Sequence, residues 1–338
     1  MLHGRASSSL FDSVDVGVFV LGMHRSGTSA ATRLINLLGL RSPRDEDLVP
    51  PSSKNPKGYW ESMSLVAFNN RVLAAVGSEM GCPVAFEPGW EDDSRLDSLR
   101  HDARELFRQT FPTAPWVWKD PRNCLTFAFW RGALGVQPVV VLVDRNPLEI
   151  VASSLRSGRG EGRIYALALW ERYLRHALDQ VAGLPVLVTE YGELLSAPLA
   201  WCEQVRAFLT EAGVTAHDRR DNDVLSFVDS RMRHAEYTRA EFLDDRDVSG
   251  AQRALFLALE QKRGSHDDFS PPVLPAETPT TEVLLAERRR AVHLAQEPSR
   301  LREIERRSRR WSRVRNSRYI DPARRVYASL RRFGRHAV

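Results

Sequence analysis

Eight consecutive residues hold the densest chemistry in the sequence: Gly22-Met23-His24-Arg25-Ser26-Gly27-Thr28-Ser29. The two glycines let the backbone curl tightly, so that successive N–H groups converge on one point. The start of a following helix adds partial positive charge. Arg25 supplies a full charge, Ser26, Thr28 and Ser29 supply hydroxyls, and His24 is expected to face whatever the loop holds. Such a loop suits a phosphate. Its spacing approaches the triphosphate-binding pattern G-x-x-x-x-G-K-[ST], with Thr28 standing where the lysine should be. The basic residue is instead inside the loop, at Arg25, which favours a 5′-phosphate or phosphosulfate over a triphosphate.

A second pair lies further on. Arg145 follows an apolar run, and Ser153 lies eight residues later, two helical turns into the next element. A guanidinium and a hydroxyl on one face can clamp a second phosphate. A nucleotide phosphorylated at both 5′ and 3′ positions needs two such groups. Asp144 invites another assignment, since an aspartate after four apolar residues resembles a magnesium ligand; a structural role is the other option.

The elements that must position these residues follow from hydrophobic pattern. Asp15–Leu21, Pro138–Val143 and Leu184–Thr189 are continuous apolar runs rich in valine and predict buried parallel strands. Trp116–Lys119 predicts a short strand stopped by Pro121. Helices are expected over Thr28–Leu38, Leu65–Val76, Leu96–Thr110, Leu125–Leu134, Pro147–Arg156, Ile164–Val181 and Trp201–Ala212. Strands alternating with helices imply an α/β fold with a central parallel sheet covered on both faces. Ligands in such sheets bind beyond the carboxyl ends of the strands, where both motifs fall.

The chain has 338 residues, 43% of them hydrophobic, enough for one large domain with an appendage. The expected layout is a loose N-terminus over 1–13, a catalytic domain over 14–264, a proline-rich linker over 265–280 and a basic helical tail over 281–338. Cys82, Cys124 and Cys202 are scattered, odd in number and without metal-ligand spacing, which implies a reducing compartment. No apolar run is long enough to cross a bilayer, and residues 1–13 carry no signal-peptide core, so the expected location is cytoplasmic. Charge is unevenly spread. Residues 282–338 hold 17 arginines and no lysine against six carboxylates, a charge of +11; with +5 for the whole chain, the rest carries −6. That tail suits either an interfacial helix on the anionic inner face of a membrane or a solvated helix packed on the acidic body; nucleic acid is disfavoured. Lysine occurs only at 54, 57, 119 and 262.

Taken together, these residues resemble the PAPS-dependent sulfotransferases, where PAPS is 3′-phosphoadenylyl sulfate. Gly22–Ser29 is similar to their 5′-phosphosulfate loop, and Arg145 with Ser153 to their 3′-phosphate motif. Trp118-Lys119-Asp120-Pro121-Arg122 and Asn55-Pro56-Lys57-Gly58-Tyr59-Trp60-Glu61 resemble stretches of the bacterial members. Glu190-Tyr191-Gly192-Glu193-Leu194-Leu195 is similar to an element whose tyrosine lies by the adenine, although Gly192 replaces an acid of that pattern. The resemblance covers roughly 14–212 and leaves out the basic tail. It implies a three-layer P-loop-like α/β fold, PAPS as cosubstrate with adenosine 3′,5′-bisphosphate as product, and no metal. It also implies a hydroxyl acceptor, a carbohydrate, glycolipid or secondary metabolite by analogy with bacterial members.

On that resemblance Arg25 serves the 5′-phosphate and leaving oxygen, and Lys119 the sulfuryl group or bridging oxygen. An acceptor hydroxyl also needs a base. Glu61 is the first candidate, with Asp120, Glu46 and Asp47 behind it. Arg122 either serves the site or pairs with an acid. Two alternatives stay open: a P-loop kinase of small molecules, and a sulfotransferase-like scaffold that binds without catalysis.

Overall fold

The computed structural model describes residues 17–136, 138–157, 162–217, 220–229, 233 and 235–295. In chain order the elements are β1 (Gly17–Leu21), α1 (Thr28–Leu37), α2 (Met63–Ala75), α3 (Asp97–Thr110), β2 (Trp116–Lys119), α4 (Asn123–Leu134), β3 (Val139–Asp144) and α5 (Pro147–Arg156). There follow α6 (Arg163–Gln180), β4 (Val186–Glu190), α7 (Tyr191–Ser196), α8 (Pro198–Glu211), α9 (Asp221–Phe227), α10 (Arg239–Asp244), α11 (Gly250–Gln261) and β5 (Gly264–His266).

The sheet runs β2-β1-β3-β4-β5. The first four strands are mutually parallel, and β5 pairs antiparallel with β4. Val18 and Val20 face one core, built with α1 and α8; Phe19 and Leu21 face the other, built with α2, α3, α4 and α6. Burial on both faces is what the continuous apolar runs demand. This is the three-layer α/β arrangement expected from the sequence.

The order of strands decides where a ligand can sit. From β1 the chain moves to β2 on one side and then returns to β3 on the other. The loops leaving β1 and β3 therefore diverge, and a crevice opens between them at the carboxyl end of the sheet. The turn that starts at Gly22 and the residue Arg145 lie on those two loops, and Ser153 lies on α5 beyond the second.

Predicted and observed boundaries of these elements agree to within three residues, and those of Trp116–Lys119 and Pro147–Arg156 coincide at both ends. Residues 265–280 differ in kind from the expected linker. Gly264–His266 forms β5 on the sheet edge, and Phe269 is buried. Beyond it, Arg172 on α6, almost fully buried, is held between Glu277 and Glu282 at 2.6 and 2.8 Å. Buried Glu171 accepts from the Thr278 N–H and the Thr281 hydroxyl. The prolines keep this stretch extended, and an extended chain can lie across a helix as well as span open solvent.

The chain divides into two units, 1–286 and 287–338. In the second, residues 287–295 are helical. The expected N-terminal segment 1–13 and most of the expected basic tail, 296–338, fall outside the described residues. Among those described, no helix is long and apolar enough to cross a membrane.

Candidate functional site

The loop after β1 needs its glycines for steric reasons. Gly22 has φ +148°, and a Cβ there would stand 2.7 Å from the Val143 carbonyl oxygen. Its N–H donates to the Cys124 sulfur at 3.1 Å. Gly27 has φ +92°, and a Cβ there would lie 2.0 Å from the Tyr191 ring. Between them Arg25 takes φ +73°, a conformation rare for a residue with a side chain. Gly27 stands at the start of α1, where no side chain caps the first-turn N–H groups. The Ala30 N–H turns back to the Gly27 carbonyl at 2.9 Å; the earlier donors of the turn, with the helix dipole, suit an anion in the cradle.

The hydroxyls divide by role. Thr28 lines the cavity. Ser29 lines it too, with its hydroxyl donating to the Tyr59 carbonyl at 3.1 Å. Ser26 is buried away from the cavity wall, and its hydroxyl donates to the Met23 carbonyl at 2.6 Å. Ser26 thus closes the turn. His24 lines the cavity, packed edge-on against Tyr173 with ring centroids 5.9 Å apart.

The second group meets the first directly. The Arg25 Nε donates to the Ser153 hydroxyl at 2.8 Å, and the Arg145 Nη1 donates to the Arg25 carbonyl at 2.8 Å. The Arg145 guanidinium lies 4.7 Å above the Tyr191 ring. Tyr191, 8% exposed, thus packs beneath both Gly27 and Arg145. Two groups that lie far apart in the sequence are here one continuous cluster, with the Arg25 guanidinium beside Ser153. Behind it, buried Glu149 accepts from the Arg145 Nε at 2.8 Å and from Arg233 at 2.6 Å. Neither Glu149 nor Arg233 stands out in the sequence, although Arg145 and Glu149 have the i,i+4 spacing of a helical ion pair.

At the end of β2, the Lys119 ammonium forms a hydrogen-bonded ion pair with Glu61. Their side chains are only 2% and 12% exposed. Burial pushes the Glu61 carboxyl above its ordinary range, against the pull of Lys119, and nearby Asp120 pushes the same way. The other base candidates are otherwise engaged. Asp120 is fully buried and accepts from Asn69, from the Arg122 N–H and from the Arg122 guanidinium, each at 2.9 Å. Asp47 accepts from the Ser64 N–H and hydroxyl at 3.0 and 2.7 Å, at the start of α2. Glu46 is exposed and off the cavity wall. Arg122 pairs with Asp120 and also lines the cavity.

A cavity of about 440 Å³ joins these parts. Its wall carries Arg25, Lys54, Lys57, Lys119, Arg122, Arg145 and Arg156 against the carboxylates Glu61 and Asp229, so it attracts polyanions. Three of the four lysines in the sequence are on it. Lys54 and Lys57 belong to a strap over 50–60; their ammonium groups donate to the carbonyls of Ser157 and Phe227, at the carboxyl ends of α5 and α9. A cation at a helix carboxyl end also meets the favourable end of the dipole. Asp144 is not on the wall. It is buried opposite Glu190 in register, and burial pushes its carboxyl up to about 7. That favours the structural role. Among the described residues no group of three or more His, Cys, Asp or Glu is arranged to hold a metal ion.

No protein-family model and no curated protein matches the chain. Among solved structures, the sulfotransferase domain of the Synechococcus PCC 7002 olefin synthase is similar at 16% identity and a TM-score of 0.39, over 82% of this chain and 94% of that domain. The sulfotransferase domain of the curacin biosynthetic pathway is similar at 14% identity and a TM-score of 0.39, over 81% of this chain and 97% of that domain. At this level of likeness no residue's role carries across.

Proposed function

We propose that this chain transfers a sulfuryl group from PAPS to a hydroxyl acceptor. The observation that carries it is the junction of the Gly22–Gly27 turn with Arg25, Ser153 and Arg145, in one cavity with the Lys119–Glu61 pair. A cradle of backbone N–H groups suits the 5′-phosphosulfate. The guanidinium and hydroxyl cluster suits a second phosphate on the same nucleotide. A kinase would need a lysine at the position of Thr28 and a strand-end aspartate facing the phosphates; Asp144, which has that place in the sequence, is off the wall. The intact cationic cluster also speaks against a scaffold that has lost its ligand.

The residues divide the work of an in-line displacement. The acceptor oxygen forms a bond to sulfur as the bond from sulfur to the 5′-phosphate oxygen breaks, and that oxygen leaves with the electron pair. Glu61, raised by burial, takes the hydroxyl proton as charge develops. Lys119, a compact cation freed as Glu61 is protonated, stabilises negative charge on the departing oxygen. Arg25 and Arg145 fix the nucleotide so that the reacting groups stay aligned. Incubating the full chain with ³⁵S-labelled PAPS and hydroxyl-rich extracts in excess EDTA should yield a labelled product. Transfer from γ-labelled ATP with magnesium, and none from PAPS, would refute the assignment.

A further inference from the structure

The wall around the Lys119–Glu61 pair differs in chemistry from the cationic end. Val49 is tied to Glu61 itself, its N–H donating to the Glu61 carbonyl at 2.8 Å. Val66 lies in the first turn of α2, its N–H donating to the Ser62 carbonyl at 2.9 Å. Pro121 follows Lys119 and Asp120 directly, and Met80 lines the same cavity. The charges here are matched: Lys119 with Glu61, and Arg122 with fully buried Asp120. Arg122 is further held by Asn70 at 2.7 Å, and every carboxylate oxygen of Asp120 has a donor. His24 also lines the cavity, edge-on to Tyr173, whose hydroxyl donates to the Met80 carbonyl; apart from it and these paired charges, the wall named here is apolar and close to neutral.

A ligand entering there loses water. Each sugar hydroxyl set against Val49, Val66, Met80 or Pro121 would be desolvated without a partner. An anionic acceptor would meet an arginine whose charge Asp120 already balances. Apolar surface, by contrast, gains from leaving water. We propose that the acceptor is an uncharged alcohol, its one reacting hydroxyl carried on an apolar body. This rests on the sulfuryl-transfer function proposed above and disfavours the carbohydrate acceptor expected from the resemblance.

The test uses the full chain, ³⁵S-labelled PAPS and three acceptor sets: straight-chain primary alcohols of increasing length, simple sugars, and ω-hydroxy fatty-acid anions of matched length. Binding of adenosine 3′,5′-bisphosphate is measured in parallel. The alcohols should be sulfated at least tenfold faster than the sugars or the anions. Their kcat/KM should rise about fourfold for each added methylene until the chamber is full. Val66→Asp should lower turnover of the alcohols at least tenfold while Val66→Leu retains it, with nucleotide binding unchanged in both. Sugars or anions used as well as the alcohols, or no transfer to any alcohol by a chain that binds the nucleotide, would overturn the acceptor class alone. Failure to bind the nucleotide would overturn the sulfuryl-transfer function beneath it.

Discussion

At Glu61 two opposed effects meet, and their balance is what a base for a hydroxyl requires. Burial raises its proton affinity, while the Lys119 ammonium pulls it back down. Glu61→Gln keeps the shape and removes the proton acceptor. Turnover should fall about 10²–10⁴-fold, with affinity for adenosine 3′,5′-bisphosphate unchanged in titration calorimetry. Activity should also be lost on acidification through the raised Glu61 value, since only the ionised carboxylate accepts a proton. At this scale the sequence pointed to Arg25, Arg145 and Ser153 by type and position and to Lys119 and Tyr191 through the family resemblance, and all five line one cavity. Glu149 was not legible. A glutamate in the first turn of a helix is ordinarily explained by the dipole, and only the tertiary fold brings Arg233 to its other oxygen. The role of Ser26 was equally hidden, because one hydroxyl can serve a ligand or a neighbouring carbonyl.

The elements are held together most tightly where the turn after β1 meets α7. The missing Cβ of Gly27 is the space that the Tyr191 ring fills. Gly27→Ala puts a methyl into that ring at an unfavourable φ and should cost on the order of 2 kcal/mol or more in stability. It should also weaken binding of adenosine 3′,5′-bisphosphate at least tenfold, as Tyr191 and the Arg145 above it are displaced; urea titration and calorimetry read the two effects separately. Four parallel strands were legible because burial on both faces leaves an unbroken apolar run. Gly264–His266 was not, since a three-residue edge strand, partly exposed, has no such run. The path of the stretch after it was not legible for a related reason. Proline density reports extended backbone, and the ion pairs of Arg172 with Glu277 and Glu282 span more than a hundred residues of sequence.

For the molecule as a whole, the carboxyl ends of β3 and β4, at Asp144 and Glu190, link stability to pH. Burial moves the Asp144 carboxyl from 3.8 up to about 7. The folded state then keeps a proton that the unfolded chain releases between those values, so the contribution to stability is full below about 4 and is lost as pH rises to about 7. The slope across that window is about 1.4 kcal/mol per pH unit at most. Asp144→Asn removes it. The urea midpoint of the wild type should fall relative to that of the variant between pH 4 and 7 and run parallel above; parallel curves throughout would show that Asp144 is ionised in the fold. Glu190, also raised by burial, titrates in both proteins and cancels in the comparison.

The central claim is that one adenine nucleotide bearing phosphates at both ends fills the cluster of Arg25, Ser153 and Arg145. Calorimetry of the full chain in EDTA, with adenosine 3′,5′-bisphosphate and adenosine 5′-monophosphate titrated side by side, tests it most directly. The bisphosphate should bind at least about tenfold more tightly, the gain from charge-assisted bonds to its second phosphate. Equal affinity for the two nucleotides, or binding that appears only for ATP with magnesium, would contradict it.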